Sequence, residues 1–213
     1  MENDMIRIKT ENNMTFIGTA DEGHGKAKNY VLIKRILETL ADFLLGYAEQ
    51  IITAPFKDEI KFEIVKRIRK QLEDYPGWDT HFAAILMIPD RNILWHVSFG
   101  KASIYGTDQN NNHRHISWNI EFQQKSSNIC EEGCTRKVRV GIEKLDKYKT
   151  IYLFSTPDDL YILMCRNKGE GGRDCEEYEQ NMNTSETGKT SWIKKNQCIV
   201  TIHQRCDIDT PKC

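Results

Sequence analysis

The sequence predicts an α+β fold in which a helix pair packs on an antiparallel sheet and a second sheet completes a layered sandwich. Three observations carry that expectation. Two short strand-patterned segments open the chain, two amphipathic helical segments follow, and strand-patterned segments separated by turn residues fill most of the remainder. With 213 residues the chain can enclose a sizeable core. It reads as one domain, 1–213, with a polar loop at about 166–191.

Met5 to Ile8 and Met14 to Gly18 read as strands, with Asn12-Asn13 as turn residues between them. Asp21-Glu22-Gly23-His24-Gly25 breaks the apolar pattern before a long helical segment at about 26–54. There Ile33, Ile36, Leu37, Leu40, Leu44, Tyr47, Ala48 and Ile51 recur at intervals of three and four, so one broad face is buried. Pro55 ends it. A second helix at about 57–74 has Ile60, Ile64, Ile68 and Leu72 at i+4 spacing, and its charges are mixed in sign, the pattern of a solvated face. Phe82 to Ile88 and Ile93 to Phe99 form a hairpin around Pro89-Asp90-Arg91-Asn92, the second strand continuing past Gly100 to Tyr105. A polar loop at 107–114 precedes strands at about 115–122, 136–142, 150–155, 160–165 and 197–204. The stretch 166–191 is nearly free of apolar residues, and a loop of that length is either functional or disordered.

Composition narrows the function. Apolar residues make up 39% and charged residues 29%, and 30 basic against 31 acidic side chains leave a net charge of -1. That excludes a disordered tail and a nucleic-acid binder announced by bulk charge, so any partner is recognised locally. The longest apolar run, Phe82 to Ile88, is far shorter than the ~20 residues of a membrane span. The acidic start carries no secretory pattern, so a reducing, cytoplasmic setting is expected. All seven cysteines lie after residue 129, and Cys130-x3-Cys134 with His203-x2-Cys206 could offer four zinc ligands. Neither spacing is the tight Cys-x2-Cys knuckle, and buried free thiols of a reducing compartment explain them as well. Asn13-Met14-Thr15 and Asn183-Thr184-Ser185 fit the glycosylation pattern without a secretory route, and Gly188-Lys189-Thr190 lacks the first glycine and the strand of a phosphate loop.

The chemistry gathers where acids follow buried strands. Asp21, Glu22, Gly23 and His24 follow Phe16-Ile17-Gly18, so two carboxylates, an open backbone carbonyl and an imidazole emerge together at a sheet edge. Hard divalent cations take such oxygen ligands. Ile151-Tyr152-Leu153-Phe154 runs into Ser155-Thr156-Pro157-Asp158-Asp159, a second strand end bearing acids. Each cluster alone also reads as a turn with solvated acids. His96, alternating with apolar neighbours, reads as a packed histidine rather than a ligand.

This succession resembles the metal-dependent PPM family of serine/threonine protein phosphatases, the type 2C class. Arg7-Ile8-Lys9-Thr10-Glu11-Asn12 is similar to that family's Arg-x3-Glu-Asp, and Phe16 through His24-Gly25 to its strand running into Asp-Gly-His-Gly-Gly. Ile93 to Ile104, with Gly100-Lys101-Ala102-Ser103, falls on the hairpin strand ending in Gly-Asp-Ser-Arg. Asp158-Asp159-Leu160-Tyr161 falls on Asp-Gly-Leu-Trp-Asp, and Asn196-Gln197 on the terminal Asp-Asn. The resemblance covers nearly the whole chain and implies a four-layer α-β-β-α sandwich, two antiparallel sheets flanked by helix pairs, with Mg²⁺ or Mn²⁺ at one edge. There the ions would activate a water for in-line attack on phosphorus. It further implies Asp21 or Glu22 as bridging carboxylate, Gly23 as carbonyl ligand and Glu11 and Asp158 as further ligands. Arg7 would hold the phosphate and His24 would protonate the leaving alkoxide.

The departures shape the functional expectation. Lys101 stands where the family has an acid beside the metals, Asn196 where it has its terminal Asp, and Asn12 replaces the acid after Glu11. Removing carboxylates and adding a cation weakens a dication site by several kcal/mol, so one ion or none is expected rather than two. The expectation is a pseudophosphatase, a PPM-like domain without turnover that binds or scaffolds a protein or phosphoprotein, with no nucleic acid and no membrane span. The alternatives are an active Mn²⁺- or Mg²⁺-dependent serine/threonine phosphatase and a zinc-stabilised interaction domain.

Overall fold

The computed structural model describes residues 6–22, 30–53, 58–75, 78–117, 129–130, 133–155, 189–192 and 197–201. Two five-stranded sheets and a helical layer make up these residues. β1 (Ile6–Glu11) and β2 (Met14–Glu22) form a hairpin whose turn residues Asn12 and Asn13 both take left-handed φ, 49° and 60°. Asparagine tolerates that conformation, and two consecutive left-handed residues give the tight turn whose twist matches paired strands. The helices α1 (Tyr30–Gly46), α2 (Ala48–Thr53) and α3 (Asp58–Gln71) follow, then β3 (Thr80–Ile88) and β4 (Ile93–Phe99). A 3-10 turn at Pro89–Arg91 links these two strands, closed by Asn92 at φ 54°. β5 (Ser103–Asp108), β6 (His113–Ser117), β7 (Arg139–Lys144), β8 (Tyr148–Phe154), β9 (Lys189–Trp192) and β10 (Gln197–Thr201) complete the strands among the described residues.

Every pairing is antiparallel. The first sheet has the order β1-β2-β3-β4-β7 and the second β6-β5-β8-β10-β9. β3 is the central strand of the first, and its alternation explains the long apolar run. Phe82, Ala84, Leu86 and Ile88 join the core beneath the helices, where Leu37, Leu40, Ile64 and Ile68 meet Phe16, Trp95 and Phe99. Ala83 and Ile85 face the other way, into a smaller core with Ile17, Leu94, Ile104, Ile151 and Leu153 between the sheets. A strand buried on both faces needs no polar alternation, and each fully buried large side chain contributes ~1.5–3 kcal/mol.

Several sequence expectations change. The long helix is two: α1 ends at Gly46 and α2 begins at Ala48, so Tyr47 lies between them rather than within one buried stripe. β2 runs four residues beyond Gly18, because Asp21 and Glu22 pair with His81 and Thr80 at the start of β3. The strand from Ile93 does not continue to Tyr105. Gly100 takes φ 69°, the ladder stops, and β5 joins the second sheet. The loop expected at 107–114 shrinks to a compact turn in which the Asp108 carboxylate accepts the main-chain amides of Asn110 and Asn112, both at 2.9 Å. Those amides hold the Asp108 carboxyl below its ordinary range. β9 occupies the end of the polar stretch at 166–191. The strand expected at 160–165 and most of that polar stretch lie outside the described residues, and the three described α-helices share one layer on the first sheet.

Candidate functional site

The topology gathers one end of the sandwich. β2 finishes there with Asp21 and Glu22, and β3 starts there with Thr80 and His81. β4 turns there through Gly100 and Lys101, and β5 leaves with Ser103. Ser103 pairs with Phe154 of β8, which in turn pairs with Gln197 of β10. The strands that precede Asp158 and follow Asn196 in sequence therefore present their ends where Asp21 does.

Asp21 is 3% exposed and lies two residues from Thr19, whose register partner Ala83 belongs to the inter-sheet core. Residues two apart on a strand share a face, so the carboxylate stands at the mouth between the sheets. His81, its partner directly across on β3, is equally buried and on the same face. The main-chain N–H of Lys101 donates to His81 Nδ1 at 3.2 Å. This bond ties the turn after β4 to the imidazole opposite Asp21. The hydroxyls of Thr19 and Ser103, both buried, have no hydrogen-bond partner among the described residues.

Two residues assigned by resemblance fall elsewhere. Glu11 pairs with Met14 beside the Asn12-Asn13 turn, seven positions along β2 from Asp21 and so ~23 Å away. It is exposed there, and Lys9 Nζ lies 3.7 Å from its carboxylate. Arg7 pairs with Gly18, whose absent side chain leaves room for Leu37 of α1 and the Phe16 ring. Arg7 therefore lies on the helix face of the sheet with Lys9, whose ammonium donates to Asp42 of α1 at 2.8 Å. Asp21 lies on the other face. Gly23, His24 and Asp158 are outside the described residues, and Glu22 is described by its backbone pairing with Thr80.

His81 was not singled out from the sequence. A lone histidine at the head of an apolar run carries no chemical signature, and only the pairing of β2 with β3 sets it opposite Asp21. His96 lies between the sheets at 6% exposure, in keeping with a packed histidine. At the candidate zinc pair, the Arg69 guanidinium donates to Ile129 O at 2.9 Å, Cys130 O at 3.4 Å and Cys134 Sγ at 3.4 Å. Burial raises both thiol pKa values, which disfavours the thiolate that zinc requires. His203 and Cys206 lie outside the described residues.

Among the described residues no group of three or more His, Cys, Asp or Glu side chains converges as a metal site. Asp21 is the described carboxylate that the β2–β3 register sets opposite His81 at the mouth, with the main chain of Lys101 bonded to that imidazole. No described helix is long and apolar enough to cross a membrane.

No family model matches the sequence, and no curated protein matches it. In structure the chain is similar to the serine/threonine phosphatase Stp1 from Staphylococcus aureus, with a TM-score of 0.56, 12% identity and coverage of 96% of this chain and 90% of that one. It is likewise similar to a bacterial serine phosphatase, with a TM-score of 0.55, 12% identity and coverage of 95% and 93%. The chain has the fold of the PPM-type serine/threonine phosphatases.

Proposed function

We propose that this chain is a PPM-fold domain without phosphatase turnover, a pseudophosphatase that binds or scaffolds a protein or phosphoprotein partner. The observation that carries the reading is the Lys101 N–H···His81 Nδ1 bond opposite buried Asp21. It supports residue 101 as a neighbour of the mouth, and residue 101 is a cation. A lysine charge ~8 Å from a dication opposes its binding by ~4 kcal/mol at an effective dielectric of 20, and by ~1 kcal/mol in bulk water. Glu11, at the far end of its hairpin, offers nothing in compensation. A resident Mg²⁺ or Mn²⁺ pair would supply the activated water, and a lysine charge near Asp21 weakens the hold on such a pair.

A second reading, an enzyme using a single ion, is favoured by one observation. β8 ends and β10 begins at the mouth, so Asp158 could join Asp21, Glu22 and Gly23, with His24 as proton donor. Hydrolysis of a phenyl phosphate ester with Mn²⁺ and with chelator separates the two. The pseudophosphatase predicts equal rates. A Mn²⁺-dependent rate abolished in Asp21→Asn or Asp158→Asn establishes the enzyme instead.

A further inference from the structure

We propose that the groove between α1 and α3 is a docking site for a phosphorylated serine or threonine side chain of a protein partner, with Arg67 and Lys70 as the charges that hold its phosphate. The inference rests on the reading of the chain as a binder of phosphoproteins and deepens it by placing the contact on the helical layer rather than between the sheets. Thr39 and Asp42 of α1 face Arg67, Lys70 and Gln71 of α3 across a cavity of about 280 Å³. Spacings of three and four put each set on one side of its helix, so four donors and one carboxylate meet in a single depression. That volume suits one charged group rather than a whole small molecule. Arg67 is held in place by aromatic rings. Its guanidinium carbon lies 4.8 Å from the centroid of the Phe43 ring and 5.8 Å from that of Tyr47, and the two rings are 4.7 Å apart. A guanidinium fixed on aromatic faces loses little further freedom when it binds. Its Nε is buried and makes no hydrogen bond, and the Glu63 carboxylate 3.5 Å from that atom is shared with Lys66 at 3.3 Å. The side chains of Thr39, Lys70 and Gln71 make no hydrogen bond or ion pair among the described residues. Asp42 would repel an anion, but Lys9 of β1 donates to it at 2.8 Å and cancels its charge. A phosphate monoester carries close to two negative charges and three acceptor oxygens. Two cations, a hydroxyl and an amide, each with donors to spare, match that demand.

The test titrates the full chain, with chelator present, with a short serine-glycine peptide that carries one phosphoserine. Amide and guanidinium ¹H–¹⁵N spectra follow the titration, with the Arg67 Nε–H signal assigned by its loss in Arg67→Lys. Saturable binding should shift that signal, and the unphosphorylated peptide should leave it in place. Arg67→Gln and Lys70→Gln should each weaken binding at least ~10-fold. Should the Arg67 variants not fold, Lys70→Gln, at an exposed position, decides alone. Inorganic phosphate is the second probe. Equal affinity for it marks a free-anion site and overturns the phosphoprotein assignment, as does the absence of saturable peptide binding. Peptide binding that survives both glutamine variants unchanged overturns the groove and leaves the phosphoprotein reading standing. Mn²⁺-dependent hydrolysis of the peptide, lost in Asp21→Asn and kept in Lys70→Gln, defeats the pseudophosphatase reading and leaves the affinities to judge the groove.

Discussion

Acidification should weaken this fold through His96, by an amount the structure sets. The ring lies between the sheets, its Nδ1 has no hydrogen-bond partner among the described residues, and its register partner is Gly141 of β7. A Cβ on Gly141 would come within 2.3 Å of Nε2, so the ring fills the space that the glycine leaves. Burial lowers its pKa from 6.5 to about 4, and Glu143 offsets a little of that. Above pH 6.5 neither folded nor unfolded chain protonates His96, and its contribution is neutral. Between 6.5 and about 4 the unfolded chain binds a proton that the folded chain refuses, so stability falls with pH across that window. Each pH unit costs ~1.36 kcal/mol, about 3.4 kcal/mol over the whole window. Below about 4 both states are protonated and this loss stops growing. That is a large share of the ~5–15 kcal/mol typical of a domain. Urea unfolding at intervals from pH 7.5 to 4 measures it, with His96→Leu as the reference that cannot titrate. The wild-type midpoint should fall more steeply than the variant's. Parallel pH profiles would refute the argument, because other groups titrate equally in both proteins.

Three further outcomes follow from single contacts. Gly141→Ala should destabilise by ~1–3 kcal/mol in the same unfolding assay, since the methyl must displace a ring wedged between sheets. The hydroxyls of Ser98 and Ser117, 2.6 Å apart and buried, join β4 to β6 across the sandwich; either alanine variant should cost ~1–3 kcal/mol and the double variant less than their sum, as calorimetry can check. Lys101→Asp should raise Mn²⁺ affinity at least ~10-fold in a titration, because it turns the cation at the mouth into a ligand; unchanged affinity would mean that residue 101 does not govern the site.

Much of the architecture was legible because single physical signals dominated it. The i+4 isoleucines of α3 and the spacing along α1 could only be one buried stripe each, and the seven-residue apolar run of β3 required cover on both faces. What escaped depends on backbone conformation. Gly100 in a left-handed conformation stops β4 and sends the chain to the other sheet. Apolar residues recur on both sides of Gly100-Lys101, so hydropathy alone does not tell a continued strand from a change of sheet.

The misplacement of Glu11 and Arg7 has a sharper cause. Matching Arg-x3-Glu-Asp to Arg7 and Glu11 treated spacing along one strand as sufficient, whereas co-ligands on two strands are related by register. Here the register is dictated by Asn12 and Asn13. A two-residue turn with both φ positive pairs the residues on either side of it, Glu11 with Met14, and every later pair follows in step to Ile6 with Thr19. Once those asparagines are taken as the turn, Glu11 cannot share a mouth with Asp21, which stands seven residues up the opposing strand. The strand positions that meet Asp21 are instead the Ile6 end of β1, the start of β3 and the strand ends of the second sheet, and among the described residues the register sets His81 of β3 directly across from it.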